Sequence, residues 1–150
     1  ALTSLDILGR NEINLRDQWK EGAKSYLGLG VRNFPNLFTI TGPGSPSVLS
    51  NMLPSIEQHV NWVAECIGWM SENNKSVIES TKIAEDEWMK LVNEIADMTI
   101  FTSTKSWYNG SNIEDKAKAF LPFIGVPVYT EKLEEITADD YQGFIFDKSN

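Results

Sequence analysis

Phe34-Pro35-Asn36-Leu37-Phe38-Thr39-Ile40-Thr41-Gly42-Pro43-Gly44-Ser45-Pro46, together with the helical pattern behind it, decides how this chain is read. Pro35 to Ile40 is a short apolar run rich in β-formers, the pattern of a buried strand. Thr41 to Pro46 holds two glycines and two prolines and can only be a loop. Beyond it Met52, Ile56, Val60, Val63, Ile67 and Met70 recur at helical spacing, and His59, Trp62, Cys66 and Trp69 widen the stripe on one side. Pro54 is comfortable only in a first turn, which places the helix start near Asn51 to Leu53. Ser55 with Gln58 offers a capping box slightly later. A strand leading through a glycine-rich loop into a helix start aims free N–H groups and the positive dipole end at an electron-rich ligand atom. The same pattern also describes an ordinary strand-to-helix turn. It is neither a GxGxxG fingerprint nor a phosphate loop, because no Gly-Lys-Ser/Thr occurs.

Upstream, Leu2 to Leu8 alternates loosely and reads as a short strand, and Asn14 to Lys20 as one or two helical turns. Tyr26-Leu27-Gly28-Leu29-Gly30 suggests turns or close backbone approach. Downstream, a second helix is expected from about Thr81 to Ile100. Trp88, Leu91, Val92, Ile95 and Met98 lie on one side of it, with Glu85, Asp86, Glu87 and Glu94 mostly on the other. Its acidic first turns suit the helix dipole. Thr102 to Lys118 lacks a helical period and reads as a long loop. Phe120 to Val128 is apolar and broken by Pro122, Gly125 and Pro127. A short helix near Thr130 to Ile136 and an aromatic tail, Tyr141 to Phe146, complete the reading. The class is α+β and mostly helical. A lone buried-type strand cannot satisfy its own backbone hydrogen bonds, so the chain reads as a piece of something larger. Its start at Ala1, without methionine, gives the same expectation.

The chain has 150 residues, 41% hydrophobic and 23% charged, the size and composition of one globular domain. Its net charge of −8 disfavours nucleic acid and anionic membranes as partners. One cysteine and one histidine leave no disulfide framework and no Cys/His zinc set. A reducing, cytoplasmic compartment is the simplest expectation. Asn74-Lys75-Ser76 and Asn109-Gly110-Ser111 match the glycosylation sequon, but no secretory signal precedes them. No apolar run reaches the ~20 residues of a membrane span.

Individual residues carry competing readings. His59 is expected to be a hydrogen-bonded structural histidine, Cys66 a core thiol, and Trp62, Trp69 and Trp88 core. Glu85-Asp86-Glu87 could imitate a carboxylate site but is read as a solvated helix face. Trp107, in a polar loop, either closes over a ligand or anchors the loop.

From Phe34 through Ser47-Val48-Leu49-Ser50-Asn51-Met52 to Ser55-Ile56-Glu57-Gln58-His59-Val60, the chain closely resembles Baeyer–Villiger monooxygenases, nearest the cyclohexanone monooxygenase type. Lys24 to Leu29, Asp86-Glu87-Trp88, Asn93 to Asp97 and Ser106-Trp107-Tyr108 fit as well. Family members are several times longer. The resemblance therefore implies the C-terminal part of a flavoprotein with two dinucleotide-binding, Rossmann-like domains. Residues 1–46 would end an FAD-binding domain, with strands and the glycine-rich loop. Residues 47–150 would form a helical C-terminal segment with a control loop near 102–118.

The implied whole protein is an enzyme: NADPH reduces FAD, and oxygen activated on the flavin is inserted beside a ketone carbonyl to give an ester or lactone. In the family pattern the backbone of Asn51, Met52 and Leu53 lies against the flavin. Ser47, Val48, Leu49 and Ser50 line the substrate pocket, and Leu121, Pro122 and Phe123 return to it. Trp107 closes over the nicotinamide cofactor, with Asn112 and Lys116 in the same loop. Glu114-Asp115 stands before Lys116 where the family commonly has Pro-Gly. Neither a GxGxxG fingerprint nor the family's FxGxxxHxxx(W/P) signature occurs here, so FAD and NADP would be bound mainly by other parts of the parent. No catalytic residue is assigned, and the chain alone is expected to be inactive. Expected partners are the ketone, molecular oxygen, the rest of the parent and, for the isolated piece, further copies of itself. Two other functions stay open: a flavin monooxygenase oxidising nitrogen or sulfur, and a non-enzymatic helical interaction module using the wide apolar helix face.

Overall fold

The computed structural model describes residues 2–46, 51–97 and 125–147. In chain order it has 3-10 turns at Leu2–Ser4 and Arg10–Glu12, then α1 (Leu15–Gln18), α2 (Met52–Glu72), β1 (Val77–Ser80), α3 (Lys82–Asp97), α4 (Val126–Ala138) and β2 (Phe144–Asp147). The α+β, mostly helical reading holds. Among the described residues the sheet is one antiparallel pair, with Val77 opposite Asp147 and Ser80 opposite Phe144.

The first two expected strands are not strands. Leu2 to Leu8 begins as a 3-10 turn, and Leu8 makes only a single bridge, to Asn14. Leu5 and Leu8 point outward, while Leu2 and Ile7 pack against the small N-terminal cluster without a neighbouring strand. Pro35 to Ile40 is broken by a turn in which Asn36 adopts a left-handed φ of 59°, leaving one bridge between Phe38 and Gly30. The missing ladder is replaced by single tethers. The Thr39 N–H donates to the Leu29 carbonyl at 2.8 Å, and the Asn36 N–H donates to the Ile78 carbonyl at 2.9 Å. The Asn36 side-chain oxygen accepts in turn from the Ile78 N–H at 3.0 Å. Backbone groups are thus satisfied without a sheet.

The long helix starts where Pro54 requires. Asn51 is its N-cap, accepting from the Leu53 N–H at 3.2 Å, whereas Ser55 is buried and Gln58 donates to Thr130. Its buried face is not the expected one. Ser55, His59, Trp62, Cys66 and Met70 face inward, while Val60 and Ile67 are 49% and 53% exposed. The wider stripe left two possible faces, and packing against α4 and the 26–46 segment selected the His59–Trp62–Cys66 side. Leu53, Val60 and Ile67, seven residues apart, form an outward apolar line.

β1 has no alternating signature and was not expected. It exists because the aromatic tail folds back as β2 and supplies its partner. Thr81 then opens α3, its hydroxyl accepting from the Ala84 N–H at 3.1 Å. Trp88, Met89, Val92 and Ala96 are buried on α3, and Leu91 sits at the rim. Glu85 is a correction: it is 2% exposed rather than solvated, accepting from the Arg32 N–H at 3.0 Å with the Arg32 Nε at 3.7 Å. Burial pushes its carboxyl up from the ordinary range, against the pull of Arg32. The last helix is longer than its apolar period indicated. Pro127 lies in its first turn behind Gly125 and is compatible with helix there.

One core unites these elements. Tyr26, Leu27 and Leu29 pack with Trp62 and Cys66 of α2, Trp88 and Val92 of α3, and Tyr129 and Leu133 of α4. It therefore draws on both sides of residue 46. Edge-on aromatic pairs, Tyr26 with Trp88 and Trp62 with Tyr141, lock it. A smaller cluster of Leu15, Trp19, Val31 and Phe34 anchors the N-terminal part.

Candidate functional site

The glycine-rich loop is short of regular structure and nevertheless heavily bound. The Ser25 hydroxyl donates to the Pro43 carbonyl at 2.6 Å, and the Trp88 indole N–H to the Gly44 carbonyl at 3.1 Å. The Gly42 N–H donates to the Gly28 carbonyl at 3.1 Å, and the Ser45 hydroxyl to the Gly42 carbonyl at 2.8 Å. Glycine is required at two of these points. Gly28 (φ +76°) lies against the Ser45 side chain, and at Gly44 (φ +80°) a Cβ would come within 3.1 Å of the Trp88 indole nitrogen. Pro43 through Pro46 are buried.

The loop's first residue, Thr41, is left-handed at φ 52°, a conformation costing a β-branched residue about 1–3 kcal/mol. Its N–H donates to Nδ1 of His59 at 2.9 Å, while Nε2 of His59 lies 2.7 Å from the Tyr129 hydroxyl. That hydroxyl donates to the Leu27 carbonyl at 2.6 Å. The directions follow from the ends of this chain. A backbone N–H can only donate and a carbonyl can only accept, so Nδ1 is unprotonated, Nε2 carries the proton, and Tyr129 receives it as acceptor. His59 is 0% exposed, and burial lowers its pKa to about 4, in agreement with a neutral ring. Burial drives the Tyr129 phenol the other way, well above its ordinary value, so it too stays neutral. The expected hydrogen-bonded histidine is present, with partners that no sequence spacing revealed. Cys66 is core as expected, 0% exposed, its thiol pushed up to about 12 by burial.

The far end of the site is the start of α2. Asn51 is exposed, Met52 half-buried and Leu53 67% exposed, so a large apolar side chain stands open beside a helix N-terminus. With Pro54 lacking an N–H, Met52 and Leu53 supply the first amide protons there, and the Leu53 one is held by the Asn51 cap. Asn51, Met52 and Leu53 are the expected site residues that fall within the described residues. Ser47, Val48, Leu49, Ser50, Trp107, Asn112, Lys116, Leu121, Pro122 and Phe123 lie outside them. Ser25, His59, Trp88 and Tyr129, which shape the loop, were not read as site residues. His59 had a signal, its place between Ser55 and Trp62 on the buried face; Tyr129 had none. Among the described residues no His/Cys/Asp/Glu group could hold a metal, and no helix is long and apolar enough to cross a membrane.

In fold and sequence this chain is similar to one segment of much longer monooxygenases. More narrowly, the chain is homologous over nearly its whole length to Baeyer–Villiger monooxygenases, the cyclohexanone monooxygenase type among them. It is 41% identical over 146 residues to a phenazine N-monooxygenase of Lysobacter antibioticus, covering 97% of this chain and 27% of that one. It is 38% identical over 141 residues to a cyclohexanone 1,2-monooxygenase of an Acinetobacter species, covering 93% and 26%. The crystal structure of cyclohexanone monooxygenase from Rhodococcus sp. Phi1 bound to NADP+ superposes with a TM-score of 0.93 at 35% identity, covering 99% of this chain and 28% of that one. The chain thus spans about a quarter of the length of the relatives it matches. No protein-family model matches the sequence.

Proposed function

We propose that this chain is the C-terminal part of an FAD- and NADPH-dependent, two-dinucleotide-domain enzyme that inserts oxygen beside a ketone carbonyl, giving an ester or lactone. The observation that carries the reading is the start of α2. A bound loop delivers a 21-residue helix whose N-terminus is open beside the exposed Leu53. These residues fit a flavin: the helix end favours the electron-rich edge of the ring, and Leu53 offers an apolar surface to its face. FAD, reduced by NADPH, would supply the activated oxygen. The chain's own part is to hold and shape. Asn51, Met52 and Leu53 set the ring position, and Ser47 to Ser50 with Leu121, Pro122 and Phe123 line the ketone site. Trp107, Asn112 and Lys116 close over the nicotinamide cofactor. Val60 and Ile67, further along the outward line, are covered by the rest of the parent, or by another copy when the chain is isolated. The parent works in the cytoplasm.

A second reading has its own support, because a relative at 41% identity is a phenazine N-monooxygenase. The test is the full-length parent, reconstituted with FAD and given NADPH with a ketone panel, an aromatic N-heterocycle and a thioether. Ester or lactone formation supports the first reading. N-oxide or sulfoxide without any ester moves the assignment to heteroatom oxidation. A parent that stays colourless after reconstitution sinks both and leaves a non-enzymatic interaction module.

A further inference from the structure

We infer that His59 and Tyr129 are a positioning pair for this reaction, holding the glycine-rich loop, and through it the start of α2, in the geometry the flavin and substrate require. The inference rests on the monooxygenase reading above. Its basis is the directional chain Thr41 N–H to His59, His59 to Tyr129, and Tyr129 to the Leu27 carbonyl. Both ends of that chain are non-glycine residues in the left-handed region, Thr41 at φ 52° and Leu27 at φ 60°. Backbone held in such conformations persists only where its surroundings over-determine it, and such outliers gather at functional sites. Here the surroundings are two side chains from separate helices. His59 lies two turns into α2, eight residues beyond the Asn51 cap, so the helix whose start faces the flavin also grips the loop that feeds it. Tyr129 lies in the first turn of α4. Adjacent to the pair, Gln58 donates to the Thr130 hydroxyl at 2.9 Å, and one turn on Trp62 donates to Thr137 at 2.9 Å. The α2–α4 seam is therefore a polar register that cannot slide by a residue without breaking three bonds.

Two conservative variants divide the imidazole between its halves. His59→Asn places an acceptor near the Nδ1 position and keeps Thr41 held. His59→Gln places a donor near the Nε2 position and keeps Tyr129 but releases Thr41. Both are made in the complete FAD-containing enzyme. The readouts are product formed per NADPH consumed, hydrogen peroxide released, visible circular dichroism of the bound flavin, and melting temperature. The expected result is that His59→Gln lowers product per NADPH by about fivefold, the rate equivalent of one ordinary hydrogen bond. It should also raise peroxide and change the flavin dichroism, and His59→Asn, which gives up only the Tyr129 bond, should show the same changes at about two- to threefold. Tyr129→Phe, which keeps the ring volume, should fall between them. If all three variants lower the melting temperature but leave coupling and dichroism unchanged, the pair is structural only and the inference is wrong. If the unaltered enzyme binds no FAD, it is the monooxygenase reading that has failed.

Discussion

The single histidine makes a sharp acid-stability prediction. His59 is wholly buried, with Nδ1 accepting from Thr41, and its pKa falls from 6.5 to about 4 because burial disfavours the charged ring. Between those values the unfolded chain binds a proton that the folded chain refuses. The resulting stability is complete above about pH 6.5, is lost as pH falls toward 4, and changes no further below that. Each pH unit between the two midpoints is worth about 1.4 kcal/mol, so the whole loss is roughly 3 kcal/mol. Carboxylates titrate in the same window, and a paired measurement removes them. Urea unfolding, followed by tryptophan fluorescence, would be run on the parent sequence and on His59→Asn from pH 7.5 to 4. The stability advantage of the parent should shrink by roughly 3 kcal/mol across that range. Long-range ¹H–¹⁵N spectra of the lone imidazole should show the Nε2–H tautomer at pH 7 and a native midpoint far below 6.5. An Nδ1–H tautomer, a midpoint at or above 6.5, or a constant stability difference would refute the directional chain built on Thr41 and Leu27.

Gly28→Ala forces a side chain at φ +76° into Ser45, so left-handed strain and crowding together should cost roughly 2–5 kcal/mol, measured by denaturant unfolding. Asn51→Ala removes the α2 cap and should lower stability by about 1 kcal/mol; Asn51→Asp, which restores an acceptor at the positive helix end, should recover it. Glu79 is buried, accepts from the Asn33 N–H at 2.8 Å and pairs with Arg10. Glu79→Ala strands that amide and should cost about 1–3 kcal/mol, whereas breaking the exposed Lys82–Asp86 pair by Lys82→Ala should cost under about 1 kcal/mol.

Much of the fold was legible wherever one residue type constrained the backbone locally. Pro54 admits a helix only in its first turn, so it located the start of α2, and the glycines and prolines of 41–46 could form nothing but a loop. The helical periodicity of α2 and α3 is a local property and located both helices, although it did not fix which face of α2 is buried. Buried partners were legible only as types: an isolated histidine in an apolar stripe must be bonded, but to what was not written. Four outcomes depended on residues distant in the chain. Pro35 to Ile40 has strand composition, yet a strand needs a neighbour, and the chain offered it tethers at Leu29 and Ile78 instead. Val77 to Ser80 has no strand pattern of its own and became β1 because Phe144 to Asp147 came to lie beside it. Which face of α2 turned inward, and whether Glu85 met water or Arg32, was settled by what packed there. The sequence by itself determined the two long helices, the loop and the resemblance, because those rest on neighbouring residues. The tertiary structure alone decided the His59–Tyr129 seam, because hydrogen-bond direction depends on partners 18 and 70 residues away.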